Sequence, residues 1–177
     1  MNQNKVSMNN LKNLINDYPD FPSKGIIFKD LLTILRDPII FKELINQMSL
    51  SQSIIDADAL IAIDARGFIF GTAIALNTSK PLICARKPGK LPGKLITKEY
   101  NLEYGSNSLS IQENALRPYS NFAIIDDLLA TGGTANCVSE IIKSFNKKIT
   151  GLSVVIELVS LEGKNKLSFP VESILNF

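Results

Sequence analysis

Apolar residues along this chain fall into two kinds of pattern. Leu60-Ile61-Ala62-Ile63, Leu82-Ile83-Cys84-Ala85, Phe122-Ala123-Ile124-Ile125 and residues 152–158 are short, nearly unbroken apolar runs. Runs of that length predict strands buried on both faces. Between them the spacing turns helical. Leu11 to Ile15 predicts a short amphipathic helix ended by the Tyr18-Pro19 step, because proline disfavours the α conformation before it. Asp37-Pro38 predicts a helix start, with an acid as N-cap and proline at the first helical position. Ile40, Phe41, Leu44, Ile45 and Met48 give that helix one apolar face. A further helix is predicted from Phe68 to Leu76. Val138, Ile141, Ile142 and Phe145 show the i, i+3, i+4, i+7 spacing of another. Strands alternating with helices predict an α/β domain with a doubly wound, mostly parallel sheet, in one domain over residues 1–177.

The alternation breaks between Arg86 and Leu116. Residues 87–94, Lys-Pro-Gly-Lys-Leu-Pro-Gly-Lys, carry too much proline, glycine and charge for regular structure. Leu95 to Tyr100 and Ser108 to Gln112 then predict two strands of a hairpin-like excursion. Arg86, Lys87, Lys90 and Lys94 fall within nine residues. A flexible positive loop of this kind suits a lid that closes on a polyanion.

Composition narrows the chemistry. The 177 residues are 45% hydrophobic and 20% charged, with a net charge of +2. This is ordinary for a globular domain and gives no basic footprint for nucleic acid. No apolar run reaches the ~20 residues needed to span a bilayer. The polar start, Met1 to Asn10, lacks the apolar core of a signal peptide, so a cytoplasmic location is expected. Cys84 and Cys137 stand in apolar surroundings and are expected to be buried thiols rather than a disulfide. The chain has no histidine. That argues against zinc or iron sites built from soft ligands and excludes serine–histidine and cysteine–histidine catalysis.

The most informative stretch is Asp126-Asp127-Leu128-Leu129-Ala130-Thr131-Gly132-Gly133-Thr134. It follows a strand and precedes a helix, so the two acids are expected at the carboxyl end of a strand, where open α/β sheets bind ligands. The Thr-Gly-Gly-Thr turn offers backbone N–H groups and a helix dipole to a phosphate. Two carboxylates beside a phosphate cradle would repel the phosphate itself. They suit the hydroxyls of a sugar carrying it, because a carboxylate only accepts hydrogen bonds. No Gly-Lys-Ser/Thr follows the glycines, so this is not a Walker A loop.

The segment resembles the phosphoribosyl-diphosphate loop of the type I phosphoribosyltransferases, and as DDLLATGGT it resembles that of the adenine phosphoribosyltransferase family. Three further segments resemble the same family. Arg86-Lys87-Pro88-Gly89-Lys90-Leu91-Pro92-Gly93 is similar to its flexible catalytic loop, which implies that Arg86, Lys87 and Lys90 contact the departing pyrophosphate. Ala65-Arg66-Gly67 follows a strand end as the acids do, and the resemblance implies that Arg66 reaches the pyrophosphate end of the substrate; a guanidinium grips phosphate oxygens in bidentate fashion. Tyr100-Asn101-Leu102-Glu103-Tyr104-Gly105 is similar to a segment whose glutamate enters the closed site near the purine, which gives Glu103 a proton-transfer role and leaves that of Tyr104 open. Phe21 to Asp30 resembles the adenine-binding hood, so Ile27 and Phe28 would flank the base, backbone groups at Ile27 would read its exocyclic amine, and Lys29 would complete the adenine contacts. Lys29 stands where arginine is usual and Leu32 where a small hydroxyl residue is usual. Asp64 replaces the usual glutamate and is expected to touch no residue assigned to chemistry.

The resemblance thus implies the type I fold with a flexible lid and a small N-terminal hood. It implies transfer of 5-phosphoribosyl from 5-phosphoribosyl 1-diphosphate (PRPP) to adenine, giving AMP and pyrophosphate. Ala130, Thr131, Gly132, Gly133 and Thr134 would hold the phosphoribosyl phosphate, and Asp126 and Asp127 the ribose. Mg²⁺ would act through PRPP and water, without direct protein ligands, and the chain would form a homodimer. Two alternatives are a transferase for another purine and a non-catalytic PRPP sensor of the same fold. The lid and Glu103 would be unnecessary in a sensor.

Overall fold

A computed structural model describes residues 8–101 and 106–177, which fall into two compact units, 1–47 and 48–177. In chain order the elements begin with helix α1 (Met8–Asn13), strands β1 (Asn16–Pro19) and β2 (Ile27–Asp30), a 3-10 turn (Leu31–Arg36), and helices α2 (Pro38–Ser49) and α3 (Gln52–Ile55). There follow β3 (Ala59–Ile63), α4 (Gly67–Thr78), β4 (Leu82–Ala85), β5 (Leu95–Asn101), β6 (Ser106–Gln112) and α5 (Glu113–Leu116). The chain closes with β7 (Asn121–Leu129), α6 (Gly133–Lys143), β8 (Lys148–Glu157), two 3-10 turns (Val159–Leu161 and Gly163–Lys166) and β9 (Val171–Asn176).

The first unit is built on the antiparallel pair of β1 and β2, with Asn16 opposite Asp30 and Pro19 opposite Ile27. The Tyr18-Pro19 step therefore lies in a strand rather than at a helix end; α1 stops at Asn13. Proline is tolerated there because an edge residue need not donate to the ladder. The expected helix start holds: Asp37 Oδ1 accepts from Ile39 N at 3.0 Å and Ile40 N at 3.1 Å, capping α2.

The second unit is a five-stranded parallel sheet in the order β4-β3-β7-β8-β9. Its inner strands are apolar because helices and the hairpin cover them; all five residues of β3 are buried. Residues of one parity, such as Ile61, Phe122, Ile124 and Leu152, pack with Val138, Ile141 and Ile142 of α6 and with Leu109 and Ile111 of β6. On the other face α4 approaches β3 so closely that a Cβ on Gly71 would stand 2.6 Å from the Ala62 Cβ. The β5–β6 hairpin is antiparallel, with Leu95 opposite Gln112. It is fastened to α6 partly by Cys137, whose Sγ donates to the Lys98 carbonyl at 3.2 Å. Both cysteines are unbridged; Cys137 is buried, while Cys84 is only half-buried.

From β3 the chain crosses to β4 on one side, and from β7 it continues to β8 and β9 on the other. The reversal falls between β3 and β7. In doubly wound sheets the crevice at such a switch point, outside the carboxyl ends of the strands, is the ligand site.

Candidate active site

Two loops border that crevice: Asp64-Ala65-Arg66 after β3, and Ala130-Thr131-Gly132 after β7. β7 is longer than its apolar run. Its pairing with β3 ends at Ala62–Ile125, but its pairing with β8 continues through Asp126–Val154 to Leu129–Glu157. The two acids therefore lie inside β7, whose end at Leu129 is four residues beyond the expected end at Ile125. The ladder to β8 carries the strand on, because backbone pairing there outweighs the polar character of the side chains. As a result Asp126 and Asp127 project just where β3 has stopped.

Asp127 is buried and meets the guanidinium of Arg66, with Nε 2.9 Å from Oδ2. Beyond this ion pair, Oδ2 is a buried oxygen without a hydrogen bond. Asp126 is half-buried, and its Oδ1 accepts from the Asp127 backbone N at 2.9 Å. Gly67 makes this closeness feasible. A Cβ there would stand 2.9 Å from the Ile125 carbonyl oxygen and 3.0 Å from Asp126 Oδ1. Burial, and next the charge of Asp127, push the Asp126 carboxyl well above the usual carboxylate range. Burial also raises Asp127, against the opposing pull of Arg66. Burial thus disfavours the charged form of both groups, and the Arg66 ion pair and the Asp127 N–H offset it only in part.

Downstream, Gly132 is the N-cap of α6 in a left-handed conformation (φ +81°), and no side chain among the described residues caps the helix. The first-turn N–H groups of α6 are thus available to an anion, and the dipole favours one. Asp126, Leu129, Ala130, Thr131, Gly132 and Thr134 line a small hollow of about 80 Å³ at this corner. Thr131 is exposed and Gly132 buried.

The basic loop borders the same crevice from β4. Arg86 Nε lies 3.0 Å from Asp64 Oδ2, and its guanidinium carbon sits 5.6 Å from the Phe68 ring centroid. Its backbone pairs both ways with Ser110. Asp64 thus touches a residue assigned to chemistry, contrary to expectation; the contact joins two strand ends 22 residues apart in sequence. Lys87 and Lys90 are exposed. At the far end of the loop Lys94 Nζ lies 2.8 Å from Glu113 Oε2, and Gln112 Nε2 donates to the Pro92 carbonyl at 3.1 Å. The side-chain contacts from Lys94 and then Arg117 hold the Glu113 carboxyl below its ordinary range.

Glu103 and Tyr104 lie outside the described residues. In the first unit Ile27 is exposed, Phe28 meets Phe21 edge-on at 5.3 Å, and Lys29 Nζ donates to Asp17 Oδ2 across the hairpin at 2.6 Å. That ion pair gives the lysine a partner of its own register, and Leu32 N donates to Asp30 Oδ1 at 3.0 Å. The structure therefore brings together Arg66, Asp126, Asp127 and residues 130–134 at one crevice, with Arg86 tied to its edge through Asp64. Sequence reasoning missed Asp64, Phe68 and Gly163, which packs against the loop after β7. Only the position of Asp64 at a strand's carboxyl end could have marked it.

No protein-family model matches the chain. It is 61% identical to an adenine phosphoribosyltransferase of Prochlorococcus marinus strain MIT 9515 over 169 residues, 96% of this chain and 99% of that one. Among solved structures it is similar to adenine phosphoribosyltransferase from Thermoanaerobacter pseudethanolicus, with a TM-score of 0.90 and 35% identity over 97% of this chain and 100% of the other. It is also similar to the Saccharomyces cerevisiae enzyme complexed with adenine and an imino-altritol bisphosphate, with a TM-score of 0.87 and 36% identity over 95% and 98%.

Proposed function

The chain belongs to the adenine phosphoribosyltransferase family and transfers the 5-phosphoribosyl group of PRPP to adenine in purine salvage, and we propose that the residues at the switch point divide that reaction as follows. The observation that carries the assignment is a pair of carboxylates, one with a buried oxygen lacking a hydrogen bond, one short loop away from an uncapped helix N-terminus. A phosphorylated sugar satisfies both. Its 5′-phosphate takes the backbone N–H groups and hydroxyls of Ala130, Thr131, Gly132, Gly133 and Thr134. Its ribose hydroxyls donate to Asp126 and Asp127.

The bond from C1′ to the diphosphate oxygen breaks first, and its electron pair leaves with pyrophosphate while C1′ gains oxocarbenium character. Arg66, Arg86, Lys87 and Lys90 stabilise the charge that develops on the leaving group. Electrostatic preorganisation of this sort is often the largest catalytic contribution. Adenine N9 attacks from the opposite face, held between Ile27 and Phe28 with Lys29 nearby in the same hairpin. The N9 proton passes to Glu103, a step that suits a carboxylate in a closed, dry site. Closure of residues 87–94 keeps water from the activated sugar.

Magnesium fits as a companion of the substrate. The side-chain donors at the crevice are hard oxygens, the kind Mg²⁺ prefers. Bound to PRPP, it would neutralise diphosphate charge and orient the leaving oxygens. The same reading takes the enzyme as cytoplasmic and, from its family, as a homodimer. No helix among the described residues is long and apolar enough to cross a membrane.

The test is AMP formation from adenine, PRPP and Mg²⁺, run beside hypoxanthine and guanine. Turnover with adenine alone is expected. Turnover with an oxopurine would move the base specificity to Lys29 and Leu32. Tight PRPP binding without turnover on any base would replace the enzyme by a sensor.

A further inference from the structure

The segment joining β8 to β9 holds none of the residues assigned to the reaction. It is nevertheless tied to the site's framework. Leu158 N donates to the Leu129 carbonyl at 2.9 Å, and Val159 N donates to the Phe177 carbonyl at 2.8 Å, so both flanking strand ends grip it. Internal bonds from Glu162 N to the Val159 carbonyl and from Asn165 N to the Glu162 carbonyl, both 3.0 Å, stiffen its two 3-10 turns. Gly163, the first residue of the second turn, is buried and lies directly against the loop after β7. A Cβ on Gly163 would stand 2.0 Å from the Ala130 carbonyl oxygen and 2.9 Å from Gly132 N. A Cβ on Gly132 would stand 2.6 Å from the Gly163 carbonyl oxygen. Two glycines from separate loops thus let backbone meet backbone with no side chain between them.

We propose that Gly163 is a positioning residue for the 5′-phosphate: its backbone is the wall that fixes where the N–H groups after Ala130 point. This rests on the reading of Thr131 to Thr134 as the phosphate cradle. An anion held by backbone N–H groups needs each of them at hydrogen-bond distance, about 2.7–3.2 Å. The loop supplying them has small residues and a left-handed glycine, and no side chain of its own caps the helix behind it. Its conformation must therefore be set from outside, and Gly163 is a neighbour so near that a single added Cβ would collide with the loop. An alanine at 163 would push the Ala130 carbonyl away by about 1 Å, a displacement of the size that costs roughly 100-fold in positioned reactions.

Gly163→Ala is expected to raise the KM for PRPP at least tenfold and to weaken AMP, which carries the same 5′-phosphate, in parallel. The KM for adenine should stay within about twofold. A lowered unfolding midpoint with unchanged KM for PRPP would mean that Gly163 serves packing alone and would overturn the proposal. Wild-type protein supplies a second test should the variant not fold: amide hydrogen exchange with and without ribose 5-phosphate. Joint slowing of residues 130–134 and 158–167 is expected. Slowing of 130–134 alone would overturn the role of Gly163 and leave the cradle standing. No slowing of 130–134 would show that the cradle reading itself had failed.

Discussion

The loop after β7 and the basic loop after β4 border the same crevice and are built in opposite ways. The first is set from its surroundings: its acids sit inside a strand paired to β8, Gly67 lies against Asp126 and Gly163 against Gly132, and its carboxyls are pushed up by burial. The second has exposed lysines and is held at its ends by ion pairs, Arg86 to Asp64 and Lys94 to Glu113. Neither pair is deeply buried, and such pairs are weak fastenings. The difference matches the two tasks. A site that must hold a sugar phosphate in one geometry benefits from rigidity and tolerates a stability cost. A lid that must open and close has to be weakly held.

The contrast can be broken at four places. The largest effect belongs to Asp127→Asn, which removes the charge paired with Arg66 and an acceptor for the sugar. kcat/KM for PRPP should fall at least tenfold with the fold intact, and wild-type kinetics would take the acidic pair out of the mechanism. Lys90→Ala should come next, lowering kcat by about tenfold while the unfolding midpoint stays within about a degree, since the side chain is exposed. A midpoint that dropped with kcat would mean the lid is structural after all. Asp64→Asn should cost about three- to tenfold in turnover by loosening Arg86, with Asp64→Glu restoring part of it. Equal losses in both variants would show that the charge on residue 64 is not what positions Arg86.

The fourth place is pH. Both carboxyls of the pair titrate higher in the fold than in an unfolded chain. Their contribution to stability is fully present below the ordinary carboxylate pKa of 3.8 and is lost as pH rises through the raised values. At neutral pH the unliganded site therefore costs stability, which substrate binding relieves.

Where apolar runs were long and both faces were covered, the sequence was readable. β3, β4, the core of β7 and the helices α2, α4 and α6 all stand close to their expected places. The phosphate loop was readable for a different reason, because its residue types carry backbone consequences of their own. β9 was not readable: Val171-Glu172-Ser173-Ile174-Leu175-Asn176 mixes polar and apolar residues because it is an edge strand. The β1–β2 hairpin hid behind Pro19. The continuation of β7 through its acids depends on a partner strand more than 20 residues away. Asp64–Arg86 and Gly163–Ala130 are contacts between distant loops, and no local pattern encodes them.

The most direct test of the whole account takes Asp126→Asn and follows two quantities together: the dissociation constant for PRPP with Mg²⁺ and the unfolding midpoint without ligand. The asparagine keeps an oxygen for the Asp127 backbone N and removes a charge that desolvation and Asp127 disfavour. The account predicts that binding weakens at least tenfold while the midpoint rises near pH 7.5, because the variant no longer holds a carboxyl that the fold raises. The rise should shrink toward pH 5. Unchanged PRPP binding, or a midpoint that falls with it, would contradict the claim that these buried carboxylates are kept for the sugar at the expense of the fold.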